Sequence, residues 1–275
     1  MSKPGQDRQQ PFAVDLPRRV FRRRSQPAPL PVGQPGKAEL LARMRRFDML
    51  ARLAPADLAE LATAARVQVF RTGQYIWHEG EQDRQVLLIE SGLAKTERRH
   101  RGGTKRTYGL YGPGDSMGIY AIWAGMKYPT DAVALNDGMT AILLDSNFLV
   151  GFAEGHPDLA APLLTELGRF TEAFIRKIDI VSAGTVPQRL ATLMTMLIER
   201  YGVDLATGSA RLPIHLTLEH LSEIVDSRVE TVARVLGRWK RQGWLAIDAQ
   251  GWHFGRLDEL YALLPVGCRP PSPAG

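Results

Sequence analysis

Val229, Glu230, Ala233 and Arg234 form two adjacent i,i+4 pairs that point the same way from one helical face. An arginine can bond guanine O6 and N7 in bidentate fashion, a glutamate can accept from cytosine N4, and a small apolar group suits a thymine methyl. Glu230 and Arg234, one helical turn apart, can therefore read neighbouring base pairs, with Val229 and Ala233 against methyls. Arg238, Lys240 and Arg241 follow within two turns. Residues 228–241 carry five basic side chains, Arg228 included, against Glu230 alone, and such cations suit DNA phosphates. The alternative is a surface helix whose Glu230–Arg234 pair is an ordinary ion pair worth about 0.2–0.5 kcal/mol.

The elements that must position these residues lie in Leu216–Leu245. Leu218, Leu221, Ile224 and Val225 form one apolar stripe, and Val232, Val235, Leu236 and Trp239 a second, both at helical spacing. A tight break at Asp226-Ser227 separates them. Two short amphipathic helices around such a break are the layout of a helix–turn–helix, which docks its second helix in the major groove.

The run Val229-Glu230-Thr231-Val232-Ala233-Arg234-Val235-Leu236-Gly237-Arg238, followed by WKRQGWLAI at 239–247, resembles the recognition helix of the Crp/Fnr family of bacterial transcription regulators. It is more similar to the Fnr side, where Val rather than Arg occupies the position of Val229. The resemblance implies that Val229, Glu230 and Arg234 read bases and that Thr231 contacts the backbone. Two positions depart from the family pattern. Asp226 replaces the usual turn glycine, and Arg228 stands where a Ser or Thr N-cap is expected. Asp tolerates the left-handed conformation, and Ser227 is the alternative cap.

Composition bounds the remainder. The chain has 275 residues, 44% of them hydrophobic, enough for two domains with real cores. No apolar run approaches the ~18 residues of a membrane span, so no membrane role is expected. The one cysteine, Cys268, leaves no disulfide framework, CxxC zinc site or cysteine-ligated iron–sulfur cluster, and the expected compartment is the cytoplasm. Of the net charge of +6, most belongs to residues 1–36, which hold seven Lys/Arg against two Asp/Glu, leaving 28 against 27 elsewhere. The basic pI is thus no argument for DNA binding by itself. That segment also holds seven of the 18 prolines, a composition expected to be disordered. Arg18-Arg19 and Arg22–Arg24 suit a nonspecific DNA-touching arm, a membrane-surface contact or, as the blander reading, a solvated tail, and no apolar stretch follows them as in a signal peptide.

Along the chain, 38–65 reads as short helices with Pro55 at a helix start. From Val67 the period becomes two, and strands are expected at 67–70, 75–80, 85–92, 93–99, 104–115, 130–137 and 139–145. Glycines punctuate them at turn spacing, which indicates a small β-roll or barrel. Gly73–Gly80, Ile89–Gly92 and Gly112–Asp115 match the family's sensor-domain pattern, so the resemblance covers roughly residues 45–260. A long helix is expected over Leu159–Thr185, opened by Pro157. Its Ala160, Leu164, Leu167, Thr171, Phe174, Ile178 and Val181 alternate steps of four and three, an a/d seam fit for a two-stranded coiled coil. The alternative is that this stripe packs on its own β-domain. Gly184 offers a hinge, Pro187–Tyr201 begins the DNA-binding domain, and 244–254 reads as a hairpin wing. The expected fold is α+β: an N-terminal cyclic-nucleotide-binding-like β-roll, a long dimerisation helix and a C-terminal winged helix-turn-helix. The expected bounds are a tail at 1–36, an effector or sensor roll at 37–156, the helix at 157–185, the winged domain at 186–264 and a tail at 265–275.

The effector is the open point. In cAMP-binding relatives a Gly-Glu pair holds the ribose and an Arg-Ser-Ala run clamps the phosphate. The matching stretches here are Gly118-Ile119 and Thr130-Asp131-Ala132, with an aspartate where the phosphate charge would lie. This disfavours cAMP. Haem is an option through His78, although a lone His is more often structural. Tyr120, Trp123 and Tyr128 could line a pocket or be plain core, and a regulator without any effector also fits. The expected activity is that of a homodimer on inverted TTGAT/ATCAA half-sites of double-stranded DNA, activating through contact with RNA polymerase. The second reading is a ligand-binding regulatory module that acts mainly through protein contacts. No metal-ligand cluster, P-loop or nucleophile elbow suggests an enzyme.

Overall fold

A computed structural model describes residues 33–82, 85–100, 104–206 and 208–265. The expectations for the arginines of the N-terminal tail and for Cys268 lie outside the described residues.

The chain begins with α1 (Lys37–Met44), α2 (Asp48–Ala51) and α3 (Pro55–Leu61). Next come β1 (Ala65–Phe70), β2 (Tyr75–Trp77), β3 (Gln85–Ser91), β4 (Ala94–Arg99), β5 (Lys105–Tyr111) and the two-residue β6 (Ser116–Met117). Then come α4 (Ile119–Trp123), β7 (Asp131–Ala134), β8 (Met139–Asp145) and α5 (Ser146–Gly155). Two antiparallel four-stranded sheets result, ordered β1-β8-β3-β6 and β2-β7-β4-β5. The continuous apolar run of β3 is explained by burial on both faces. Val86 and Leu88 pack with Leu50, Leu58 and Leu149 of the helices. Leu87 and Ile89 pack inside the roll with Phe70, Trp77 and Met139.

Sequence periodicity missed α4 and α5. Gly118 opens α4 at φ +94, where an added Cβ would lie 2.6 Å from the Gln85 carbonyl oxygen, so a side chain there is excluded twice over. The α5 helix starts where the Asp145 carboxylate accepts from Phe148 N at 2.9 Å, an N-cap that ends the strand.

The long helix α6 runs Ala160–Ser182, shorter at both ends than the expected Leu159–Thr185. Pro157–Leu159 forms a separate 3₁₀ turn, and at the other end the Thr185 backbone N–H donates to Gln188 Oε1 at 2.9 Å. That bond caps α7 (Val186–Tyr201). Gly184 between them sits at φ +102. Beyond α7 lie β9 (Val203–Ala206) and β10 (Ser209–Leu212), then α8 (Leu218–Ile224), α9 (Val229–Arg241), β11 (Leu245–Asp248), β12 (Gly251–Phe254) and α10 (Leu257–Ala262). The expected wing, β11 with β12, is one side of a four-stranded sheet ordered β11-β12-β10-β9. The β9–β10 hairpin had no expectation attached.

Trp239, 2% exposed, anchors the C-terminal core with Leu190, Leu193, Val232, Leu236 and Trp252. Trp239→Ala should destabilise by about 3–5 kcal/mol through lost transfer energy and the cavity left behind. Chemical denaturation of the variant, read at fixed salt, checks this.

Candidate nucleic-acid interface

The residues that position the interface are local. Thr217 Oγ1 accepts from His220 N at 3.1 Å and fixes the start of α8. Asp226 takes the left-handed conformation at φ 51, as its place in the tight break required. The N-cap of α9 is Arg228, without a side-chain cap bond. Ser227 is therefore not the cap; its backbone N–H instead donates to the Ser222 carbonyl at 2.9 Å. Leu218 also departs from expectation, being 37% exposed rather than part of the buried stripe.

On α9 the apolar stripe Val232, Val235, Leu236 and Trp239 is buried. Glu230, Arg234, Arg238 and Lys240 are exposed on the helix, as are Arg228 before it and Arg241 at its end. Val229, Thr231 and Ala233 are half-buried between them. Among the described residues none pairs with Glu230, Arg234, Arg228, Arg238, Lys240 or Arg241. The Glu230–Arg234 ion pair that defined the alternative reading does not form. Five charged groups on one helix and Arg228 just before it, all exposed and with open hydrogen-bonding capacity, suit base edges and phosphates. Lys240→Ala should weaken all duplexes alike and lower the slope of log affinity against log salt by about 1 per protomer; a salt titration against specific and scrambled duplexes reads both.

Contacts from distant residues hold the turn, and the sequence carried no signal for them. Lys177 Nζ donates to the Ile224 carbonyl at the end of α8. Arg189 donates to the Val225 carbonyl at 3.3 Å, Arg106 of β5 stands 3.5 Å from the Asp226 carboxylate, and Lys95 pairs with Glu223. The missing turn glycine is thus matched by an anion with a cation from the roll.

Of the seven residues singled out for an effector pocket, Gly118, Tyr128 and Thr130 lie together around Gln85 and Trp77, while Tyr120 and Trp123 are partly exposed. Ile119 is buried under the helices of the N-terminal half. Tyr128 stacks on Trp77 at 4.2 Å inside the roll, its hydroxyl donating to the Gln85 carbonyl at 2.7 Å. Tyr120 stacks on Phe170 of α6 at 4.8 Å and, like Trp123, is 38% exposed. Gly118 is pressed against Gln85, and Thr130 is buried with its carbonyl accepting from Trp77 Nε1 at 3.0 Å.

Asp131 accepts from Glu79 N at 2.8 Å and faces His78 Nδ1 at 3.4 Å. Burial raises the Glu79 carboxyl above its ordinary range, Asp131 adding to this and Arg98 opposing it. The stretch aligned with a cyclic-phosphate clamp thus carries the carboxylates of Asp131 and Glu79, with the Arg98 guanidinium 3.2 Å from Glu79. His78 stacks on Tyr75 at 4.4 Å beside that aspartate on the roll's flank. Among the described residues no group of three or more His, Cys, Asp or Glu could hold a metal ion, and no helix is long and apolar enough to cross a membrane.

The dimer-seam residues Leu164, Thr171 and Ile178 are exposed, and Leu167, Phe174 and Val181 half-buried. The opposite face of α6, with Leu163, Glu166, Ala173 and Ile180, packs on the protein. Leu167 of the expected seam packs on the core of the N-terminal half and Phe174 meets Phe170 edge-on at 4.9 Å, while Leu164, Thr171 and Ile178 stay exposed.

Residues 67–154 match the family model of the cyclic nucleotide-binding domain, and residues 188–263 match that of the Crp-like helix-turn-helix domain. The chain is 25% identical to the CRP-like cAMP-activated global transcriptional regulator of Mycobacterium tuberculosis, over 77% of this chain and 92% of that one. It is 23% identical to the transcriptional activator protein anr of Pseudomonas aeruginosa, over 72% and 80%. In fold it is similar to FixK2 from Bradyrhizobium japonicum, with a TM-score of 0.62, 20% identity, and coverage of 73% of this chain and 98% of that one. A CooA mutant from Carboxydothermus hydrogenoformans has a TM-score of 0.58 at 17% identity, over 79% and 97%.

Proposed function

From its membership of the Crp/Fnr family of transcription regulators, we propose that this chain is a homodimeric regulator that reads inverted TTGAT/ATCAA half-sites, needs neither cAMP nor an iron–sulfur cluster, and activates through RNA polymerase. The observation that carries the specificity is the exposed, unpaired Glu230 and Arg234 one turn apart on α9, with Val229 where Crp-type helices carry Arg. Support for the dimer comes from the exposed seam of α6, because a palindrome calls for a two-fold protein. Independence of cAMP rests on Asp131 and Glu79 at the aligned clamp. The relative from M. tuberculosis is named as cAMP-activated; this chain departs from it in that respect.

Fluorescence anisotropy of purified, ligand-free protein against TTGAT/ATCAA and TGTGA/TCACA palindromes tests the reading, with scrambled competitor and then with added cAMP. Selective binding to the first duplex, unchanged by cAMP, is the expected result. Preference for the second, or binding that appears only with cAMP, would overturn it.

A further inference from the structure

The DNA-binding domain is seated on its own roll. Leu93 and Leu135 of the roll share one buried cluster with Leu190 and Leu221, and Asn136 Nδ2 donates to the His215 carbonyl just before α8 at 2.8 Å. Arg200 near the end of α7 meets Asp115 of the roll at 2.6 Å. Apolar contact by itself lets one surface slide over another, because the hydrophobic effect is non-directional.

A buried row of charges crosses the same boundary. Lys105 and Lys95 each stand 2.7 Å from one oxygen of Glu97, and Lys95 goes on to pair with Glu223 in the last turn of α8. Lys95 is 2% exposed and Glu97 1%. Burial raises the Glu97 carboxyl, but Lys95 and Lys105 outweigh this and leave it below its ordinary range. The roll supplies two cations and one anion to this row, and Glu223 of the DNA-binding domain supplies the second anion. Breaking a buried pair by withdrawing one partner is strongly unfavourable. The row is therefore complete only when the DNA-binding domain sits where Glu223 reaches Lys95. Glu223 stands just before the tight break at Asp226, which sets the direction of α9.

We infer that Lys95 is a positioning residue for DNA recognition: through Glu223 it fixes the direction in which α9 faces, without touching DNA. This role rests on the palindrome reading proposed above. Binding of a single half-site needs only one α9. A palindrome is gripped by two, the second at an effective concentration that depends on how narrowly it is aimed. Loosening the seat of the DNA-binding domain therefore weakens the palindrome and spares the half-site.

Anisotropy titrations of the full chain against a TTGAT/ATCAA palindrome and against a duplex with one half-site are the experiment. Lys95→Met and Glu223→Gln should each weaken the palindrome by about tenfold or more and the single half-site by less than about twofold. The double variant should bind no more weakly than Lys95→Met alone, as expected of two residues acting as one pair. Near-ultraviolet circular dichroism reports the fold, and Glu223→Gln, on the more accessible side of the pair, gives the result if Lys95→Met does not fold. Hydrogen exchange of the α8 backbone amides supplies a readout without DNA, and in Glu223→Gln it should quicken about tenfold or more. Lys95 loses this role if both duplexes weaken alike, if neither weakens, or if exchange in α8 is unchanged. A parent protein with no preference for the palindrome over the half-site overturns the operator reading instead, and exchange in α8 then decides the role of Lys95 alone.

Discussion

Arg234→Ala is expected to cost about 1–3 kcal/mol per half-site and to flatten the preference at the guanine it reads. In a two-fold complex the loss occurs twice, so affinity for the full palindrome should fall by about 2–6 kcal/mol, with each 1.4 kcal/mol a factor of ten. The size of the effect follows from geometry. Arg234 projects from the exposed face and spends nothing on an intramolecular partner, so its whole donor fork is available for one base. Stability should hardly change, since truncating an exposed and unpaired side chain leaves the core intact. Anisotropy titrations against the palindrome and against duplexes substituted at that guanine separate specificity from general affinity. An Arg234→Ala protein that still discriminates the guanine would remove Arg234 from the base readers.

Ile178→Glu should turn the protein into a folded monomer. Ile178 is 60% exposed in the single chain, so the charge is tolerated there. Across a two-fold seam the same carboxylate would be buried facing its own copy, which is strongly unfavourable. The dimer dissociation constant should rise by a factor on the order of 100 or more, the equivalent of about 2.7 kcal/mol or more. Ile180→Glu, two residues on, is the contrasting variant. Ile180 is 5% exposed and joined to the core of the DNA-binding domain, so that change should unfold the protein. Sedimentation velocity with circular dichroism distinguishes the two outcomes, and an Ile178→Glu protein that remains dimeric would place the interface elsewhere.

The parts legible in the sequence are those fixed by short-range pattern. Helical periodicity placed Val232, Val235, Leu236 and Trp239 on the buried side of α9 and left Glu230 and Arg234 outside. Alternation and glycine spacing located the longer strands of the roll. Reading α4 was out of reach because Ile119–Trp123 is five residues long, too short for a period to register. The β9–β10 pair, Val203–Ala206 and Ser209–Leu212, was hidden for the same reason. The three aromatic residues part for a different reason: Tyr120, Trp123 and Tyr128 are neighbours in sequence, but Tyr128 turns into the roll while the other two are partly exposed. Long-range polar contacts such as Lys177 with Ile224 leave no trace in composition or spacing at all.

The tie from Lys177 of α6 to the end of α8 has a consequence for the proposed operator. It joins the reading head to the rod along which two copies of the proposed dimer would meet, so the gap between the two heads would be a fixed length. Each base pair inserted between half-sites moves one of them by about 3.4 Å and turns it by roughly a tenth of a helical turn. A head clamped in this way would not follow such a displacement, and the proposed dimer would act as a ruler: the number of base pairs between half-sites would be read as strictly as the bases themselves.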